Sequence, residues 1–399
     1  MQVEDVQLLS RGGRRRLTAH VKRTQGDAEV FFEVPADCGD LLADTPDAFL
    51  PIVAVLASMA GEETVTAERA CPVLAEGVRT VLEWLRLWYP DAVHPVTVEV
   101  SGHGPRSPSQ RVAGSLLSGG IDSLAILRAN HLRLPIEHPS RIQVCALVNW
   151  NVGSERDVDR RAFESVEAKR RQLEPFAAGA GVRFVPVYSN VLSLADYPRA
   201  PWWGKAIHGA AFASAAHALS GGLHTVHIAS SHDLPDLEPL GSHPLIDTNL
   251  SSGYLRFVNE GLRLSRLAET AIVADWQEAL DIVSVCINRY EVRAREGNCG
   301  RCEKCIRTSL ALLALGKLDK ARTFKADSIT PHELHNIPIS HDVALYWAEL
   351  VYGLRANGFL DLASAVEGKL KALERRRRLA SLDDRMTGGM VQRLNRRVR

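Results

Sequence analysis

Nowhere in this chain does an apolar run last long enough to cross a bilayer. The longest, Leu50 to Ala60, is broken by Pro51 and falls well short of the ~20 residues a membrane helix needs. The amino-terminal stretch MQVEDVQLLSRGG lacks the basic head and apolar core of a secretory leader. Charge of one sign is not in excess either. With 48 Lys and Arg against 47 Asp and Glu, bulk charge neither selects nor excludes a nucleic-acid partner, and local patches decide instead. No G-x-x-x-x-G-K followed by Ser or Thr occurs, which removes the Walker-type phosphate loop, and no G-x-G-x-x-G follows a strand, which disfavours a dinucleotide fold. Internal repeats and long low-complexity segments are absent as well. A cytoplasmic protein is the expectation.

The 399 residues exceed what one core usually holds, so more than one domain is expected. Three blocks differ in texture. Residues 1–104 begin with short alternating segments, Val3 to Leu8, Leu17 to Lys22 and Val30 to Val34, broken at Gly12-Gly13 and Gly26-Asp27. Such segments read as antiparallel strands joined by turns. Helices at about Pro51–Met59 and Ala75–Tyr89 complete a small α+β domain, and Ser101 to Ser109, rich in Gly, Pro and Ser, reads as a linker. Residues 105–326 alternate short apolar runs (Val112–Leu117, Ile142–Val148, Val182–Tyr188, Leu223–Ala229) with helical patterns at Asp122–Leu132, Asp157–Ala178 and Lys205–Leu219. That alternation implies βαβ units and a parallel sheet, an α/β fold with ligands beyond the carboxyl ends of its strands. Residues 327–399 read as a helical, progressively basic extension, in which 375–399 carry nine arginines against two aspartates. Two readings of that end stand: a solvated helix end with a frayed tail, or a grip on RNA or another polyanion.

Ser118-Gly119-Gly120-Ile121-Asp122-Ser123 closes the run Val112–Leu117 and opens the helix after it. A glycine pair there lets successive N–H groups form a concave nest, and the positive helix end faces the same spot. The hydroxyls of Ser118 and Ser123 add donors. Asp122 would repel a bare phosphate, so it fits best as a holder of Mg²⁺ or an orienter of the loop.

Four of the seven cysteines crowd into one region: Cys286, twelve intervening residues, then Cys299-Gly-Arg-Cys302-Glu-Lys-Cys305. Two-residue gaps let thiolates converge, and four thiolates with no open position describe a structural Zn²⁺ site; an iron–sulfur cluster is the alternative. Cys38, Cys71 and Cys145 read as small buried apolar side chains.

The hexapeptide Ser118–Ser123 resembles the S-G-G-x-D-S signature of the PP-loop ATP pyrophosphatases. Together with the cysteine knuckle, Leu264–Val273 before it, and Arg307 after it, it resembles the 7-cyano-7-deazaguanine synthase family over roughly Gly114 to Leu315, as a paralogue. The resemblance implies an adenine nucleotide alpha-hydrolase-like fold and ATP, Mg²⁺ and Zn²⁺ as cofactors. It implies carboxylate activation with release of AMP and pyrophosphate, then nitrogen attack giving an amide, a nitrile or, as in paralogues from bacterial antiviral operons, a protein conjugate. ATP would lie on Ser118, Gly119, Gly120, Asp122 and Ser123, with Asn149 under adenosine. The first cysteine gap is longer than is usual in the family, and Pro201-Trp-Trp-Gly-Lys205 with His208 stands where its substrate loop carries an Arg-Asn pair; Arg266 replaces its lysine.

The segment Ser230 to Pro244 follows the fourth run of this block and is dense in metal-capable side chains. Asp233, Asp236 and Glu238 are candidates for Mg²⁺, and His232 and His243 for orienting substrate or moving protons. Lys205 would neutralise a carboxylate or phosphate; Trp203 would stack on a flat heterocycle or simply anchor the turn. His208, His232, Asp236 and Arg266 complete the candidate substrate set, with Asp122, Ser123, Lys205 and Asp233 as catalytic candidates. His332-Glu-Leu-His335 has the wrong spacing for a zinc-peptidase helix and reads as a surface turn. Expected partners are a small-molecule carboxylate, with a protein or tRNA as alternative acceptor, no membrane, and a second copy in a homodimer. A tRNA-modifying enzyme and a non-catalytic ATP-binding scaffold are the competing functions.

Overall fold

A computed structural model describes residues 1–102, 111–152, 157–195, 199–287, 297–324 and 329–387, with backbone alone at 157–159, 199–200 and 383–387. The linker expected over Ser101–Ser109 and the tail beyond Thr387 fall largely outside the described residues. The chain forms two compact units, Met1–Leu264 and Ser265–Arg399.

The first unit is α/β and is built on a ten-stranded mixed sheet, mostly parallel. Its strands are β1 (Gln2–Arg11), β2 (Arg14–Lys22), β3 (Ala28–Pro35), β4 (Thr64–Glu68), β5 (Thr97–Ser101), β6 (Val112–Leu116), β7 (Ile142–Asn149), β8 (Arg183–Ser189), β9 (Leu223–Ala229) and β10 (Arg256–Glu260). Their order across the sheet is β10-β9-β6-β7-β8-β3-β2-β1-β4-β5. The helices α1 (Leu50–Ala60), α2 (Pro72–Trp88), α3 (Ile121–Arg133) and α4 (Asp157–Gly179) connect strands, as does a helix at His208–Ala218.

β1, β2 and β3 pair antiparallel, as their alternation suggests, whereas β4 and β5 add on parallel beside β1. The first hundred residues do not close a sheet of their own. β3 pairs with β8, Phe32 opposite Ser189 and Glu33 opposite Tyr188. The ladder is short, and side chains extend it. Asn190 acts as a surrogate peptide, its Oδ1 accepting from the Phe31 N–H at 2.9 Å and its Nδ2 donating to the Glu29 carbonyl at 2.9 Å. The Ser189 hydroxyl donates to the Phe31 carbonyl at 2.7 Å.

One apolar core runs through the unit, from Met1 and Leu17 through Phe32, Phe49 and Leu74 to Val185, Val226 and Phe257. On the other face the registered row Asn149–Tyr188–Glu33–Arg16 crosses β7, β8, β3 and β2. Glu33 accepts from Arg14 at 3.0 Å and from Arg16 at 2.7 Å, and the Arg14 guanidinium lies 4.5 Å over the Tyr188 ring. Removing Glu33 would leave two arginines facing each other on a half-covered face.

The second unit is helical around a separate core of Ile306, Leu310, Leu334, Trp347, Leu350, Leu354 and Val366. Trp347 is fully buried, and its Nε1 donates to Glu303 at 2.9 Å, as a buried indole requires. His332 and His335 lie on a short helix, Pro331–Asn336, and not on a turn. The reason is local: Pro331 opens it and Thr330 and Glu333 form a reciprocal capping box, which satisfies the first free N–H groups. Among the described residues no helix is long and apolar enough to cross a membrane.

Candidate phosphate-loop edge and cysteine cluster

β6 lies between β7 and β9, so the chain leaves β6 toward β7 and β8 and later returns to its other side. That reversal is a switch point, and in open α/β sheets ligands bind at such points, beyond the carboxyl ends of the strands, here β6 and β9. Four segments meet this edge: the turn after β6, Asn149 at the end of β7, the loop after β9, and the chain entering the His208–Ala218 helix.

The turn after β6 bends through Gly119, at φ +72°, a conformation that glycine alone adopts without strain. Ser118 and Ser123 lock it. Their hydroxyls are 3.2 Å apart, the Gly120 N–H donates to Ser118 Oγ at 3.3 Å, and Ser123 Oγ donates to the Gly120 carbonyl at 3.1 Å. Gly120, the residue before α3, makes no side-chain cap bond, and the N-terminus of a helix favours an anion. Asp122 stands in the first turn of the same helix. Asn149 is buried and shapes the chain beyond β7, donating to the Phe163 carbonyl at 3.3 Å and accepting from the Asn151 N–H at 3.3 Å.

The chain entering the His208–Ala218 helix widens into a π turn, Trp203–Ile207. Its backbone lies directly on the loop after β9: Gly241 N–H donates to Gly204 carbonyl at 3.0 Å, and a Cβ on Gly209 would fall 1.8 Å from the Gly241 oxygen. Trp203 packs edge-on to Trp150 at 6.1 Å and to Phe212 at 5.9 Å. His208 bonds through Nδ1 to the Trp203 carbonyl at 2.9 Å, and burial pushes its pKa down to about 4. At neutral pH it is an uncharged imidazole. Lys205 is exposed, with its ammonium 5.4 Å from the Trp202 ring and 6.0 Å from that of Tyr89. Tyr89, at the end of α2, also hydrogen-bonds the Pro239 carbonyl and stacks edge-on to Trp202 at 5.6 Å. Residues 1–104 thus supply a wall of this edge that sequence reasoning missed, since nothing local to Tyr89 announces it.

In the loop after β9, the Ser230 hydroxyl donates to the His232 carbonyl at 2.6 Å, and Asp236 N–H closes a turn onto the Asp233 carbonyl at 3.1 Å. Burial and then the neighbouring Asp236 carboxyl raise the pKa of Asp233, which marks two acids close enough to share a proton. Glu238 is exposed; His243 caps the short helix Pro244–Asp247 with its ring, packed on Trp88. Among the described residues no group of three or more metal-capable side chains combines Asp122, Asp233 and Asp236. Mg²⁺ usually takes one or two carboxylates and leaves the rest to water and phosphate.

Just beyond, Asp247 is buried. It accepts from the Ser242 hydroxyl at 2.9 Å and from Asn259 Nδ2 at 2.6 Å, yet burial outweighs both bonds and raises its pKa to about 7. The folded chain therefore holds a proton that the unfolded chain releases near pH 4. Stability from this group is fully present below ~4 and is lost as pH rises through about 7, by up to ~4 kcal/mol. Denaturant melts at pH 5 and pH 8 should show this loss, and Asp247→Asn should flatten it; an equal slope in the variant would refute the assignment.

In the second unit, Cys286, Cys299, Cys302 and Cys305 bring their sulfurs within 4.8 Å of one another. Cys299 and Cys305 are 3.8 Å apart and Cys302 and Cys305 3.4 Å, close to the ~3.8 Å edge of a thiolate tetrahedron around zinc. The Cys302 N–H donates to Cys299 Sγ at 3.4 Å, and the helix Glu303–Ala314 begins at once, carrying Cys305 in its first turn. The Cys305 thiol, hydrogen-bonded to Cys302, holds the Cys302 thiol well below the ordinary thiol range while its own pKa is raised. Such a group could hold a zinc ion, and the donor set fits it. Buried Asn298, unread in the sequence, ties two segments of the site together, accepting from Val285 N–H at 2.8 Å and donating to the Val283 carbonyl at 3.0 Å. The scattered Cys38, Cys71 and Cys145 are buried and unpaired, as expected.

Arg266 belongs to the second unit too. Its guanidinium pairs with Glu269 at 3.1 Å and lies 5.3 Å from the Tyr346 ring, which Arg307 approaches at 4.9 Å. Compared with protein-family models, curated proteins and solved structures, the chain gives no match.

Proposed function

We propose that this chain is an ATP-dependent synthase or ligase of the PP-loop class. On this reading it activates a carboxylate as its adenylate and passes it to a nitrogen nucleophile. One observation carries the proposal: a Ser-Gly-Gly-Ile-Asp-Ser turn whose glycine at φ +72°, interlocked serines and helix N-terminus occupy the switch-point edge of a mostly parallel sheet.

The Gly119 N–H and the start of α3 would hold the β and γ phosphates, with the hydroxyls of Ser118 and Ser123 rotating out of their contacts with each other and with Gly120 to add donors. Asp122, with Asp233 or Asp236, would hold Mg²⁺, which neutralises charge on the departing pyrophosphate. The substrate carboxylate oxygen attacks the α-phosphorus, the bond to the bridging oxygen breaks, and pyrophosphate leaves. Attack by the nitrogen on the acyl carbon then expels AMP. Little covalent chemistry falls to the protein; positioning two ligands supplies most of the acceleration. Lys205, propped on Trp202 and Tyr89, would receive the substrate carboxylate. Trp203 and neutral His208 would receive a flat heterocycle, with His232 as a further substrate group. The resemblance to 7-cyano-7-deazaguanine synthases makes 7-carboxy-7-deazaguanine the first substrate to try. The four thiolates would hold Zn²⁺ in a structural role.

The test is AMP and pyrophosphate release from ATP and Mg²⁺, with and without that acid, followed by product mass. Acid-dependent AMP is the expected result, and the mass separates amide, nitrile and protein conjugate. ATP left intact with every carboxylate tried would sink the enzymatic reading and favour a scaffold that only binds ATP.

A further inference from the structure

The long helix Leu360–Thr387 of the second unit changes character halfway. Its first half is a core element: Leu362, Ala363 and Val366 are buried against Leu334, Trp347 and Leu354. From Lys371 onward to Leu382 no residue is buried, and only Leu373 and Ala380 are even partly covered. The four consecutive arginines Arg375–Arg378 lie in this exposed half. At 3.6 residues per turn they span ~300° of the helix circumference. Their local partners are few: Arg378 pairs with Glu374, and Arg377 meets His341 Nε2 at 2.9 Å, both at the surface.

We propose that this projecting half-helix inserts into the major groove of double-stranded nucleic acid. The distribution of charge selects the partner. A membrane surface or an acidic protein face would be matched by cations on one side of a helix, with apolar side chains opposite for the membrane. Here Leu379 and Leu382, both more than half exposed, flank Arg375, and arginines point away from them as well as beside them. Cations around the whole circumference match a groove with phosphates on both walls. The B-form major groove, ~12 Å wide, admits an α-helix, whereas the A-form major groove is too deep and narrow for side-chain entry. The duplex phosphates would satisfy the guanidinium groups bidentately. This inference does not depend on the ATP chemistry.

The experiment is fluorescence anisotropy of a labelled 25-base-pair DNA duplex titrated with the full chain across a salt series. The comparison is with R375Q/R376Q/R377Q/R378Q, in which glutamine preserves helix propensity and circular dichroism verifies it. Loss of four phosphate contacts should lower the log–log salt slope by about three to four and weaken binding on the order of a hundredfold at low salt. An unchanged slope, or no duplex binding by the parent chain, overturns the proposal. Equal or tighter binding of tRNA overturns groove insertion. Binding to vesicles of phosphatidylcholine and phosphatidylserine without binding to duplex assigns the helix to a membrane surface and also overturns it.

Discussion

Gly119→Ala should abolish ATP-dependent AMP release while leaving the chain folded. Gly119 holds φ at +72°, and a Cβ there would lie 3.2 Å from Leu173 Cδ2. The left-handed backbone costs an alanine ~1–2 kcal/mol, and buried Leu173 has little freedom to retreat. The cheapest relaxation is a rotation of the turn itself, which swings the Gly119 N–H and the start of α3 off the phosphate position. Donors displaced from a charge that develops in the transition state cost ~10²–10³-fold in rate. We expect at least that loss in AMP formation, a matching loss of ATP affinity by calorimetry, and a melting temperature only a few degrees lower. Asp122→Asn, which leaves the turn intact, should reduce turnover while retaining ATP binding in the absence of Mg²⁺. Wild-type ATP affinity and turnover in Gly119→Ala would remove the turn from the mechanism.

Cys305→Ser should strip the metal and unfold the second unit around its cysteine cluster. Cys305 is fully buried, contacts the sulfurs of both Cys299 and Cys302, and lies in the first turn of the helix that carries Ile306 and Leu310 into the core. A serine hydroxyl replaces a soft thiolate with a poor zinc ligand and leaves three thiols facing one another in a dry site. Structural zinc contributes ~10 kcal/mol or more in small domains, so loss of the ion should outweigh any single packing defect here. Elemental analysis of the purified chain should find about one zinc per chain, lost in Cys305→Ser and on treatment with a strong chelator, with a lower melting temperature in both. Cys145→Ser, at a buried thiol of the other unit, should keep the ion. Visible absorbance with iron in place of zinc would instead identify an iron–sulfur cluster. Equal metal content in both variants would dismiss the cluster as a metal site.

What could be read in the sequence was what is decided locally. β6, β7, β8 and β9 stand out because strands buried on both faces are written as short apolar runs, and their bounds differ from the reading by a residue or so. The phosphate-loop candidate is six consecutive residues, so strand, glycine pair and helix start announce one another. The cysteines are also close in sequence. β4, β5 and β10 passed unread, being five residues each and largely polar: Thr64-Val-Thr-Ala-Glu buries only Val65 and Ala67. The parallel pairing of β1, β4 and β5 has no local signature. Neither has the contact of Tyr89 with Lys205, nor the Asn190 clamp on β3, because each depends on chain segments more than a hundred residues apart. Asn298 is a polar residue like many others until the two segments it bridges are folded.

The junction of β3 with β8 also governs how the chain assembles. Phe32 and Ser189 are separated by most of the first unit, so a ribosome must synthesise some 150 further residues before β3 gains its second neighbour. Until then the β1–β3 meander exposes an edge bearing Phe31 and Phe32, a template for mispairing with other nascent chains. Closing so distant a contact is slow. The first unit is therefore expected to fold after synthesis of β8 and not strand by strand, with chaperone demand concentrated in that interval.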